Sequence, residues 1–79
     1  IMYNLQTIRE AMEEGIILLD YTSLISGEQK SREVTLHPDY TGGMEVQNKM
    51  DNKLLCYDVE FQKWDDIDAD TIIKWKKLT

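Results

Sequence analysis

The 79-residue chain has one cysteine, Cys56, and one histidine, His37. A thiol beside an imidazole can make a nucleophile if a fold brings the two within hydrogen-bond reach. Cys56, however, sits in the run Leu54-Leu55-Cys56-Tyr57, where a cysteine is a small buried hydrophobe and burial disfavours the thiolate. A single Cys rules out an intramolecular disulfide, and one Cys with one His cannot supply the common zinc ligand sets. The stretch Asp66-Ile67-Asp68-Ala69-Asp70 opens like a calcium loop. Thr71 then stands where that loop needs glycine, and Lys77 where it needs the closing glutamate. Asp65 and Asp66 are adjacent, so on a strand they point to opposite faces and cannot share a proton. Gly42-Gly43 lacks the Lys-Ser/Thr that completes a phosphate-cradling loop. The expectation is therefore a non-enzyme with no metal and no cofactor.

Charge is the stronger signal. Nine Lys+Arg against 15 Asp+Glu leave the chain at −6. Between positions 58 and 70 six acids (Asp58, Glu60, Asp65, Asp66, Asp68, Asp70) face one base, Lys63, a local net of −5. Carboxylates displayed on a rigid turn can occupy a basic groove on another protein, steered there by long-range attraction. The plainer reading is a solvated acidic face that keeps a small protein soluble. Tyr57, Phe61, Trp64 and Trp75 could stack bases, and Lys74, Lys76 and Lys77 form a basic end. The acidic stretch opposes that use, because it would repel a phosphate backbone. In so small a domain Phe61 and both tryptophans are also expected in the core, where aromatics supply much of the burial.

These residues need elements to hold them. Asn4 can cap a helix over residues 4–14, whose Leu5, Ile8, Ala11 and Met12 recur at spacings of three and four. Gly15 is expected to end it in the left-handed conformation. Ile16 to Thr22 reads as a strand buried on both faces. Ser23 to Ser31 reads as an exposed connection, and Arg32 to His37 as a second strand ended by Pro38. Asp39 to Asn52 is expected as a long loop or weak hairpin arm. Lys53 to Val59 and Lys63 to Ile67 follow as strands around a turn, with a tight turn at Asp68 to Asp70. Thr71 to Leu78 closes the chain, with Ile73, Trp75 and Leu78 inward and its lysines outward. Trp64 and Ile72 are expected to meet on the inner face. Five short strands favour a small barrel or curled sheet, which removes exposed edges.

Length and composition bound the rest. The size is that of one small domain, with a helix over about 4–14 and a sheet over about 16–78. The apolar fraction of 42% suffices to fold, although a domain this small buries a low share of its surface. The longest apolar run, Ile16 to Leu19, is far too short to span a bilayer, and the first residues lack the pattern of a secretory signal. Ile1 before Met2 reads as a remnant ahead of a natural start. A cytosolic location fits the lone Cys56. An unpaired edge strand leaves room for a homo-oligomer.

Several segments resemble a family of small tailed-bacteriophage proteins related to the WYL domain. They are Glu14-Gly15, Tyr21, Thr35-Leu36-His37-Pro38, and the closing Trp64-Asp65-Asp66-Ile67-Asp68-Ala69-Asp70-Thr71-Ile72. Trp64, Asp70 and Ile72 match the family's closing pattern, and Ile67 replaces its aromatic. The likeness covers roughly Met12 to Leu78. It implies a mostly β domain, a five-stranded antiparallel barrel of SH3 or Sm type with one N-terminal helix. It also implies a phage accessory protein acting in the cytosol of a host bacterium. Where the family carries arginines beside the Trp and after the aromatic, this chain has Asp65 and Asp68, so the sign of that surface is reversed. The expectation is a protein that binds and modulates a host or phage protein with a basic surface through Asp58, Glu60, Asp65, Asp66, Asp68 and Asp70. The alternative is a nucleic-acid-binding or small regulatory module using Tyr57, Lys74, Lys76 and Lys77. No membrane partner is expected.

Overall fold

The computed structural model describes residues 4–43 and 52–79. The expected hairpin arm after Asp39 falls partly on residues outside that range. In chain order the elements are α1 (Leu5–Glu14), β1 (Ile16–Thr22), β2 (Gln29–Thr35), α2 (Pro38–Thr41), β3 (Lys53–Asp58), β4 (Lys63–Asp68) and β5 (Ile72–Lys77). A one-turn 3-10 helix, Ala69–Thr71, joins β4 to β5. The strands form one antiparallel five-stranded sheet in the order β4-β3-β2-β1-β5. The chain is thus mostly β with one substantial N-terminal helix, as its patterning predicts.

Helix α1 forms because Asn4 Oδ1 accepts the Gln6 N–H at 2.9 Å and because one face is apolar. Leu5, Ile8, Ala11 and Met12 on that face are buried against the sheet. So short a helix depends on this docking. The core they enter is built from Ile17, Leu19, Val34, Leu54, Cys56, Ile67, Ala69 and Ile72. Thr35, fully buried, ties α1 to the sheet. Its hydroxyl lies 2.7 Å from the Gly15 carbonyl oxygen and 3.0 Å from that of Met12, and it accepts the His37 N–H at 3.0 Å.

Three local expectations are corrected. Gly15 is in extended backbone (φ 174°), not left-handed. A glycine fits there because a Cβ would lie 2.9 Å from the Thr79 carbonyl oxygen. Strand β2 begins earlier than its apolar residues suggest, at Gln29, because the ladder with β1 runs to Thr22↔Gln29. It also ends at Thr35, leaving His37 to cap α2 through its Nδ1, which accepts the Asp39 N–H.

In β5 the inward residues are Ile72 and Trp75, while Ile73 and Leu78 are exposed. Simple alternation fails because the pairing with β1 shifts between Asp20↔Lys74 and Tyr21↔Ile72, leaving Ile73 as an extra residue. Such a bulge flips the alternation, so residues three apart share a face. Trp64 is likewise not in the core. It pairs with Tyr57 across β3 and β4, on the face opposite Leu54 and Ile67, with ring centroids 5.5 Å apart. Phe61, 52% exposed, is outside the core too.

Candidate binding cleft

The inward face of the sheet has two ends. At one, α1 covers Val34, Leu54 and Ile17. At the other the same alternation continues, but the residues change character. Beyond Leu19 on β1 comes Tyr21, and beyond Val34 on β2 come Arg32 and Lys30. On β3 Asp58 follows Leu54 and Cys56, and on β4 Lys63 and Asp65 precede Ile67. Of these, Tyr21, Lys30, Arg32, Lys63 and Asp65 line a cleft of about 350 Å³, together with Leu24, Ile25 and Phe61 at its mouth, while Asp58 is fully buried.

Local structure fixes each of these side chains. The β1–β2 connection is a tight loop closed by Ser23 N–H donating to Glu28 O and Gly27 N–H to Ser23 O, both at 2.8 Å. Gly27 has φ 74°, a left-handed conformation that glycine takes without cost. The Ser23 hydroxyl accepts from the amides of Ile25 and Ser26. This bracing holds Leu24 and Ile25 at the tip, 73% and 100% exposed.

At the β3–β4 turn, Asp58 Oδ1 accepts the Phe61 N–H at 3.0 Å, which sets the Phe61 ring over the cleft. The Arg32 guanidinium lies 4.6 Å from the centre of that ring and its Nε lies 3.7 Å from Asp58 Oδ2. Arg32 is therefore held between an aromatic face and a carboxylate, an arrangement that fits a planar guanidinium and not an ammonium. Asp58 is fully buried, and its Oδ2 has no hydrogen-bond donor. Lys63 sits 3.9 Å from Asp65. Burial raises the Tyr21 phenol above its usual range, helped by the negative charge of Asp65.

This geometry disperses the six acids expected to form one binding surface. Asp58 is inside the molecule, neutralised by Arg32, and serves the turn. Asp68 is on the outer face of β4 and pairs with Lys53 at 3.1 Å. Asp65 faces the cleft, while Asp66 lies on the outer parity of the same strand. Glu60 and Asp70 are exposed, in the turn and the 3-10 helix. The residues of the alternative do not assemble either. Tyr57 is on the outer face of β3, separated from β5 by β2 and β1. Lys74 and Lys76 share a face of β5 and Lys77 lies on the other; Lys74 pairs with Asp20 at 3.8 Å and Lys77 with Glu14 at 2.9 Å.

Nor does a Cys–His pair exist. Cys56 is buried with its Sγ 3.8 Å from the Asp65 carbonyl oxygen, and His37 caps α2. Burial pushes the Cys56 thiol far up, with the charges of Asp65, Asp58 and Asp66 adding to the effect. Among the described residues no group of three or more His, Cys, Asp or Glu is placed to hold a metal ion, and no helix is long and apolar enough to cross a membrane.

Reasoning from sequence missed Arg32, Lys30, Leu24 and Ile25. The signal for Arg32 and Lys30 was present: two cations at alternate positions before Val34, on the core parity of a strand. The tip residues fall in the segment read as an exposed connection, Ser23 to Ser31, whose overall polarity hid the two apolar residues within it. No family model, curated protein or solved structure matches the chain.

Proposed function

We propose that this chain is a non-enzymatic protein-binding module that grips its partner around the open end of the sheet. The observation that carries this reading is the pair Leu24 and Ile25, held exposed on a braced loop beside the half-exposed Phe61 and a charged cleft. An apolar centre with a polar surround is the anatomy of a protein interface. Exposed apolar residues grouped together with a polar rim mark interaction sites.

The acidic balance of −6 favours a partner with a basic surface, which would meet the exposed Glu60, next to Phe61 in sequence, and the exposed Asp70. The resemblance to small phage proteins related to the WYL domain supports an accessory role in which a host or phage protein is bound and modulated in the bacterial cytosol. Nucleic acid is the weaker reading, because Lys74 and Lys77 are engaged by acids.

Affinity capture from a bacterial lysate, with and without nuclease, tests the proposal when run on paired variants. Leu24→Ser with Ile25→Ser should lose the captured protein while the chain stays folded. Glu60→Lys with Asp70→Lys should weaken capture of a basic partner. A bound species that survives the tip variant but disappears with nuclease would sink the reading.

A further inference from the structure

We propose that the cleft is a carboxylate-binding site, with Arg32 as its anchor and the apolar tip as its second contact. The inference rests on the binding reading above and names the group that enters the cleft: a carboxylate carried next to an apolar side chain, as in an acidic or C-terminal segment of a peptide.

Arg32 is built for this. Its Nε side faces Asp58, its ring-facing side lies on Phe61, and its Nη1 makes only a 3.4 Å bond to the Ser31 carbonyl oxygen. The outer fork of the guanidinium thus has no carboxylate among the described residues. It is positioned in advance, so a ligand would not have to order it. Two parallel N–H donors match the two oxygens of a carboxylate. Lys30, two residues along on the same face of β2, adds a cation with no ion pair among the described residues. The apolar atoms of Leu24, Ile25 and Phe61 stand at the mouth of the same cleft, within reach of whatever carries the carboxylate.

The apolar rim decides between oxyanions. Asp65 faces the cleft from β4 but lies 3.9 Å from Lys63, and the cations and this carboxylate scale alike with ligand charge. A carboxylate carried on an apolar group gains contact with Leu24, Ile25 and Phe61, and a phosphate dianion gains nothing there. Asp65 and the exposed Glu60 would meet cations flanking the carboxylate, which reconciles a central arginine with a basic partner surface.

The test uses the intact chain labelled with nitrogen-15 and follows its amide and Arg Nε–H signals by NMR. N-acetyl-leucine supplies a carboxylate on an apolar group. N-acetyl-leucinamide removes the charge, and inorganic phosphate supplies the other oxyanion. Saturable shifts at Arg32 Nε–H, Phe61 and Ile25 are expected with N-acetyl-leucine alone. Arg32→Lys keeps the charge and loses the fork, and should weaken binding about tenfold. Phe61→Leu leaves the ion pair with Asp58 in place and should weaken it about threefold. Equal shifts from the amide, tighter binding of phosphate, or unchanged affinity in Arg32→Lys would each overturn the proposal. If those results came while capture still depended on Leu24 and Ile25, the carboxylate site would fall and the binding module would stand.

Discussion

The two ends of one sheet face offer a controlled comparison. Both are built by the same strands, with the same alternation, from residues two positions apart. Under α1 the inward positions are Ile17, Val34 and Leu54, all fully buried. Beyond them the inward positions are Lys30, Arg32, Asp58, Lys63 and Asp65, around Tyr21. The backbone is indifferent to this change, since the β3–β4 ladder runs unbroken from Lys53↔Asp68 to Asp58↔Lys63. What differs is the cover. A helix over the first end excludes water and makes apolar side chains the stable choice. Among the described residues no helix covers the second end, and charged side chains there are tolerated because the long ones reach solvent. Stability is concentrated at one end of the sheet and available chemistry at the other.

The largest effect should come from emptying the covered end. Leu54→Ala removes a fully buried side chain between α1 and the sheet, and should cost about 2–5 kcal/mol in a denaturant melt. At the open end, Arg32→Met leaves Asp58 buried and uncompensated. The cost should be about 1–3 kcal/mol, below that of a wholly buried pair because the Arg32 side chain is 26% exposed. Adding Asp58→Leu to Arg32→Met should recover part of that loss, though the second change also removes the acceptor that organises Phe61. A double variant less stable than Arg32→Met would show that the turn bond outweighs the ion pair.

The same contrast explains what was legible in the sequence. Helix α1, its cap and the five strands were readable because apolar spacing reports burial, and the covered end is where burial dominates. The faces of Trp64 and of the β5 residues were not. An aromatic signals large contact area without saying which face supplies it, and the bulge at Ile73 has no marker such as glycine or proline. The acidic stretch was visible as composition, but only the ladder shows that Asp58 turns inward while Asp66 turns outward. Trp64→Ala checks the corrected placement. It should cost about 1 kcal/mol, the worth of a cross-strand aromatic pair with Tyr57, and not the several kcal/mol of an emptied core site. A loss above about 3 kcal/mol would return Trp64 to the core.

Cys56 lies where the two ends meet, and it gives the smallest and most local test. It is fully buried, with the acids of the open end raising its thiol further. The folded state therefore holds the thiol protonated, while the unfolded chain releases the proton near pH 9.0. A raised folded value means that this stabilisation is complete below the unfolded value and fades as pH climbs above it. Between pH 8 and pH 9.5 the loss should stay under about 1 kcal/mol for this one group. Cys56→Ala should start less stable, since it trims a core side chain, yet lose less over the same interval. The thiol in the parent protein should also resist alkylation at pH 9 until the chain is unfolded. Rapid alkylation of the folded protein, or an equal alkaline loss in Cys56→Ala, would mean that the open end admits water as far as Cys56. The boundary between the two ends would then lie deeper under α1 than the fold shows.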